Sequence, residues 1–276
     1  MTRWEDPSAL NRMPAGRADD ALAALWHKAI VVEVDADGAI ASTSGRPRPL
    51  ASPGERQPSD ILLGTVDGVA WFARTVDTVA GEAMSWRDTD PDALDPLAAG
   101  VALARWHGGQ PPCEVCGSAT RPDLAGARRI CLGCGQLQFP RIDPCVIVAI
   151  TDPDDRLLLA RQALWAPKRV SVIAGFIEAG ESAEQAVHRE TFEEVGVRLS
   201  SLTYVSSQPW PMPRSLMLGF EARSVNGEMT VDGDEIVEGA YYTRSDLVAA
   251  VGSGEVILPA GASIARALIQ RWLSPR

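Results

Sequence analysis

Residues 175 to 196 read Gly-Phe-Ile-Glu-Ala-Gly-Glu-Ser-Ala-Glu-Gln-Ala-Val-His-Arg-Glu-Thr-Phe-Glu-Glu-Val-Gly, and few structures accommodate them. Ser182 followed three positions later by Gln185 is a capping box, so a helix is expected to start there. Gly196 stands where a left-handed C′ glycine ends one. Within that helix Glu190, Glu193 and Glu194 fall at i, i+3 and i+4 and share one face. Like charges at this spacing cost roughly 0.2–0.5 kcal/mol per pair. A solvated acidic face is the ordinary explanation of such a run, but a bound divalent cation also removes the cost. Carboxylate oxygens are hard ligands suited to Mg²⁺ or Mn²⁺, ions that also bind phosphates. Arg189, four residues before Glu193 and eight after Glu181, can orient a carboxylate with its planar fork.

A second constraint comes from cysteine. Cys113-x2-Cys116 and Cys131-x2-Cys134 are each followed by glycine, Gly117 and Gly135. Two such knuckles can aim four thiolates at one tetrahedral Zn²⁺ and leave no open position for chemistry. Four reduced core cysteines or a dithiol redox pair are the alternatives; a redox pair needs no second C-x2-C. The fifth, Cys145, lies in the apolar run Cys145-Val-Ile-Val-Ala-Ile150 and is expected to pack as a small buried hydrophobe. Five cysteines in 276 residues are too few, and odd in number, for a disulfide framework.

Other chemistries are poorly supported. The three histidines, His27, His107 and His188, accompany no G-x-S-x-G elbow, and only two lysines occur, with no G-x4-G-K-[ST] loop. A net charge of −10 disfavours a generic nucleic-acid coat unless positive charge is local or supplied by metal. The first residues lack an apolar leader and no run approaches a membrane span, so a cytoplasmic protein is expected.

The chain reads as α+β. Residues 1–108 form one expected unit: a helix near Asp19 to Lys28, a strand from Ile30, and a hairpin around Val66-Asp67-Gly68. A Pro/Ser/Gly/Arg-rich stretch from Ser42 to Ser59 is expected as mobile loop, and an apolar helix near Pro96 to Trp106 closes the unit. The cysteine module occupies 109–140. From 141 to 276 strands are expected at Val146–Ile150, Arg156–Ala160, Leu202–Val205 and Leu216–Ala222, with a final helix from Ser263.

The pattern Gly175-x5-Glu181-x7-Arg189-Glu190-x2-Glu193-Glu194-x-Gly196 resembles the Nudix box of hydrolases acting on nucleoside diphosphates linked to another group. Thr191 is a departure, since that position is usually aliphatic; a packing effect is expected. Ser207-Gln208-Pro209-Trp210-Pro211-Met212-Pro213-Arg214-Ser215 resembles the SQPWPFPxS signature of the NADH pyrophosphatase (NAD⁺ diphosphatase) branch, with Met212 in place of Phe. Gln138-Phe139-Pro140-Arg141-Ile142-Asp143-Pro144 is similar to that branch's link from zinc ribbon to catalytic domain, and Ser263-Ile264-Ala265-Arg266 to its last helix start.

The resemblance implies a Nudix α/β/α sandwich with a mixed sheet, preceded by a zinc ribbon and an N-terminal, Nudix-like α+β domain. It implies hydrolysis of NAD(H) to NMN(H) and AMP with two or three Mg²⁺ or Mn²⁺, and one structural Zn²⁺ per chain. Expected metal ligands are Glu190, Glu193, Glu194, Glu235 and the Ala174 carbonyl. Glu193 is the candidate base, inseparable on sequence from Glu190 and Glu194. Gln208, Arg214 and Ser215 are expected to donate to phosphate or ribose along the wall formed by Pro209, Trp210, Pro211, Met212 and Pro213, with Ala265 alongside. Phe139, Phe176 and Trp210 can stack on a base, or equally be core. Removal of an NAD cap from RNA is the alternative activity, and Arg121, Arg128, Arg129 and Arg141 are its candidate basic surface. A non-catalytic zinc-ribbon module is a third possibility, disfavoured by the intact glutamates. A homodimer is implied by the resemblance.

Overall fold

The computed structural model describes residues 6–13, 16–17, 19–88, 91–109 and 111–274. The chain divides into two compact units, one built mainly of Pro7–Ile142 with Trp210–Arg214, the other of Asp143–Pro209 and Ser215–Arg276. It is an α+β protein throughout.

In the first unit helix α1 (Asp19–Trp26) precedes β1 (Ile30–Asp35), β2 (Ala39–Thr43), β3 (Arg46–Pro47), β4 (Ile61–Val66), β5 (Val69–Val76) and β6 (Ala83–Ser85). The sheet runs β3-β2-β1-β5-β4, with β6 also on β2. It is mixed: β1 lies parallel to β5, while β4 and β5 form the expected antiparallel hairpin. Trp26 sets its ring edge against Phe72 (centroids 5.0 Å apart) in a core with Leu22, Val31 and Leu62. The stretch after Ser42, expected to be loop, is bonded onto the sheet: Arg48 N–H donates to Ala41 O and Leu50 N–H to Val31 O, each at 2.8 Å. Helix α2 (Pro91–Gly108) begins earlier than Pro96, which is carried inside it.

The cysteine module belongs to this same unit as a small antiparallel sheet of β7 (Thr120–Asp123), β8 (Arg128–Cys131) and β9 (Leu137–Gln138). His107, at the end of α2, joins it there. Its Nε2 bonds Gly126 O and its Nδ1 accepts from Arg129 Nη1, both at 2.9 Å.

The second unit holds a mixed sheet ordered β13-β14-β10-β11-β15, with β12 on β10. Its strands are β10 (Asp143–Thr151), β11 (Leu157–Gln162), β12 (Ile173–Phe176), β13 (Leu199–Trp210), β14 (Ser215–Ser224) and β15 (Ile236–Tyr242). The helices are α3 (Ala183–Val195), α4 (Arg244–Ser253) and α5 (Ile264–Leu273). Successive side chains of a strand point to opposite faces, so β10 feeds two cores. Val146, Val148 and Ile150 pack with Ala186, Val187 and Val195 of α3. Ile147 and Ala149 pack with Leu247 of α4 and with Ile264, Leu268 and Trp272 of α5. The layering is helix, sheet, helix. β10 is therefore an apolar run rather than an alternating one, because both its faces are covered.

Candidate active site

The capping box is present: Ser182 Oγ accepts from Gln185 N at 3.2 Å, and Gln185 Oε1 accepts from Ser182 N at 2.9 Å. Gly196 ends α3 at φ +66°. The loop before α3 is locked by Arg189. Its Nε and Nη2 donate to Glu181 (2.9 and 2.8 Å), Nη2 also to Phe176 O (2.9 Å), and Nη1 to Glu190 (2.8 Å) and Glu193 (3.1 Å). This pairing raises the Arg189 pKa and holds that of Glu181 below the usual carboxylate range.

Glu194 is different. It is 4 % exposed, and neither carboxylate oxygen has a hydrogen-bond partner. Burial, and then the charges of Glu235 and Glu190, push its pKa up to about 8. Burial likewise raises Glu190, against the pull of Arg189. A buried carboxyl without donors is costly unless something completes it, and a divalent cation of the Mg²⁺ or Mn²⁺ class fits such an all-oxygen donor set. Gly175 belongs to the same fit, since a Cβ there would collide with the Glu190 carboxylate. Glu193 is exposed at 58 % and turned to solvent. Glu235 lies on the loop before β15, where its Oε1 accepts from Gln162 Nε2 at 3.3 Å. Ala174 sits in β12, antiparallel to β10 and opposite Ile147. The glutamates do not crowd together: among the described residues only the four cysteines form a group of three or more potential ligands within 4.8 Å of one another.

Those cysteines are placed as their spacing predicts. Sγ atoms of Cys113 and Cys134 are 3.6 Å apart and those of Cys116 and Cys131 are 3.5 Å apart. Zn–S bonds of about 2.3 Å in a tetrahedron give an edge of roughly 3.8 Å, so the quartet fits a structural zinc. Gly117 and Gly135 take φ +72° and +74°, and their N–H groups turn back onto the carbonyls of Cys113 and Cys131.

A NUDIX domain model matches residues 141–258. Over 95 % of its length the chain is 35 % identical to "NAD-capped RNA hydrolase NudC" of Mycobacterium bovis, of which it covers 94 %. It is a Nudix hydrolase of the branch that includes NudC and NUDT12. The Mycobacterium tuberculosis protein of the same name is 34 % identical over the same shares. "NAD-capped RNA hydrolase NUDT12" of Homo sapiens is 37 % identical over 74 % of this chain, which spans half of that relative's length.

Within the segment Ser207–Ser215, Gln208 faces inward. This side chain is fully buried, its Nε2 donating to Ala262 O (2.7 Å) and its Oε1 accepting from Ile264 N (2.6 Å). Both ends of the amide are thus bonded to the start of α5. Ala265 is buried in the same core. Trp210, grouped with the first unit, sets its ring against Trp86 (5.8 Å, 81°) and under the Arg87 guanidinium (5.4 Å). Met212 lines a cavity of about 380 Å³ in that unit with Trp86, Arg87 and Arg105. Pro211 is buried, while Pro209, Pro213 and Arg214 are exposed and Ser215 begins β14. Phe139 and Phe176 present their rings to solvent at 66 % and 55 %.

Two of the four arginines expected to form a basic surface are engaged within the first unit. Arg128 pairs with Asp123 at 2.6 Å, and Arg129 is buried against His107 and Thr120. Side chains in such short strands are consumed by their own turn and by α2, which composition does not reveal. Gln162 and Asp232, which no sequence motif singles out, both hydrogen-bond to Glu235. No described helix is long and apolar enough to cross a membrane.

Proposed function

We propose that this Nudix hydrolase cleaves the pyrophosphate bridge of an NAD moiety at the 5′ end of NAD-capped RNA, and that the same site accepts free NAD(H). The observation that carries this is the buried, unpartnered Glu194 carboxylate, which feels the charges of Glu235 and Glu190, in a chain whose relatives are named for NAD-cap removal. A bound Mg²⁺ or Mn²⁺ supplies charge neutralisation for the diphosphate and lowers the pKa of water. Glu190, Glu194 and Glu235, with the Ala174 carbonyl, are the groups to hold two or three such ions. Arg189 keeps the Phe176–Glu181 loop and Glu190 in one arrangement, which limits reorganisation during reaction. Exposed Glu193, fixed at Oε2 by Arg189, is the group proposed to take the proton from the attacking water. The bond between bridging oxygen and phosphorus breaks, leaving NMN and a 5′-phosphorylated adenosine. Phe139 and Phe176 offer exposed rings on which a base can stack. Residues 1–108, 109–140 and 141–276 are proposed as the N-terminal, ribbon and catalytic segments of a homodimer.

Free NAD(H) as the principal substrate is the second reading. It is favoured by the neutralisation of Arg128 and the burial of Arg129, which leave the ribbon with less positive surface for RNA. The test is one assay of the purified protein with Mg²⁺ or Mn²⁺ on NAD-capped RNA, NADH, NAD⁺, ADP-ribose and diadenosine polyphosphates, with products separated chromatographically. NMN release from capped RNA, with kcat/KM rising with RNA length and falling with salt, supports the first reading. Insensitivity to both, with AMP from NADH, supports the second. No AMP from any dinucleotide and no NMN from capped RNA refutes both.

A further inference from the structure

The segment between β14 and β15 is fastened to the end of α3 through its backbone. Thr230 N–H donates to Val195 O at 2.9 Å, and Asp232 N–H donates to Glu194 O at 3.1 Å. Asp232 then organises the turn that follows. Its Oδ1 accepts from Asp234 N (3.2 Å) and Ile236 N (2.8 Å), and its Oδ2 accepts from Glu235 N (3.2 Å). Gly233, at φ +80°, lets its N–H reach Ile236 O at 3.0 Å. From the other side Ala163 N–H donates to Glu235 O at 2.9 Å. The main chain of Glu235 is thus held at its nitrogen by Asp232 and at its oxygen by the residue after β11.

We propose that Asp232 is a positioning residue for the hydrolysis: its backbone N–H is bonded to Glu194 while its carboxylate fixes the amide of Glu235, so it sets the separation of those two carboxylates. The proposal rests on the reading of Glu194 and Glu235 as cation ligands. An aspartate that closes a turn is common and by itself means little. Here the turn is anchored to the residue that carries, among the described residues, the one buried, unpartnered carboxylate, and it presents the glutamate that the site draws from another part of the chain. Asp232 is not itself offered as a ligand, because both its oxygens accept from main-chain N–H groups, which also keeps its pKa below the usual carboxylate range. Charge-assisted bonds to backbone amides are stronger than neutral ones. A loop so held presents Glu235 in few conformations, as octahedral ions with short bonds demand. Supporting residues of this kind typically contribute about ten- to hundred-fold to metal affinity.

The test uses the full chain and Mn²⁺ alone, with free ion counted by electron paramagnetic resonance and amide exchange followed across residues 233–236. Asp232→Ala is expected to weaken Mn²⁺ binding by about ten- to hundred-fold and to speed exchange in that segment. Asp232→Asn keeps one acceptor oxygen but turns an amide NH2 toward the remaining backbone N–H, so it should recover only part of both losses. Asp232→Ala with wild-type affinity, beside a weak Glu235→Gln, overturns the positioning role and leaves the ligand reading standing. Glu235→Gln with wild-type affinity overturns the ligand reading itself. Should Asp232→Ala fail to fold, Asp232→Glu takes its place: it keeps the charge but shifts the carboxylate by one methylene, and wild-type Mn²⁺ affinity in it is the overturning result.

Discussion

The Glu190 carboxylate occupies the space in which a side chain at Gly175 would stand. The constraint on this position comes from a neighbour in the fold and not from its own backbone, whose φ lies outside the left-handed region. Gly175→Ala should therefore displace Glu190 and lower kcat by about 100-fold, the order expected for a misplacement of roughly 1 Å. Steady-state kinetics decide it, with circular dichroism and zinc content expected to match wild type.

Glu194→Gln separates function from stability. The amide is nearly isosteric but carries no charge and so binds a divalent cation far more weakly, and kcat should fall by at least about two orders of magnitude. The metal-free protein should melt higher than metal-free wild type, because a buried carboxyl without partners has been removed. Near-normal turnover would remove Glu194 from the site.

Thr191 carries a fully buried hydroxyl with no partner on the face of α3 that enters the core. Thr191→Val replaces that hydroxyl by a methyl at similar volume. It should stabilise the protein by about 1 kcal/mol, a rise in Tm of roughly 2–4 °C, with kcat unchanged. A lower Tm in calorimetry would show that the hydroxyl finds a partner in solution.

Metal analysis of protein purified without chelator should find one zinc per chain. The ribbon strands are only two to four residues long, too short to hold a sheet unaided. Cys131→Ser or chelation is accordingly expected to open residues 113–135 to limited proteolysis. Full protection in zinc-free protein would contradict this.

Burial and the adjacent Arg129 lower the pKa of His107 below its ordinary value near 6.5. The folded state then binds fewer protons than the unfolded state just below that value. The stability this confers is complete above about pH 6.5 and is lost as pH falls toward the folded pKa. Denaturant midpoints of the wild type should drop between about pH 7 and 5 more than those of His107→Gln. Parallel slopes would exclude His107 as the titrating group.

Features held within one stretch of chain were legible in advance. The caps of α3, the shared face of Glu190, Glu193 and Glu194, the Arg189 fork and the four thiolates all follow from fixed spacings on a helix or a knuckle. The β4–β5 hairpin followed from Val66-Asp67-Gly68 in the same way. Features that depend on distant partners were not. The bonds from the Gln208 amide to Ala262 and Ile264 at the start of α5 leave no trace in the local pattern. Arg129 read as surface charge, yet α2 covers it through His107. The strand β15 and helix α4 lacked a pattern strong enough to stand out beside their neighbours.

The sequence by itself determined the class of chemistry: an acidic helix face able to collect divalent cations, a four-thiolate zinc knuckle pair, and the Nudix family to which both belong. Only the tertiary structure decided which glutamate is buried without partners, that a side chain at residue 175 would displace Glu190, and how Asp232 ties Glu235 to Glu194. Spacing along a helix fixes the direction of a side chain. Its burial, and so its electrostatics, depend on packing against strands far away in the chain, and local periodicity carries no record of that.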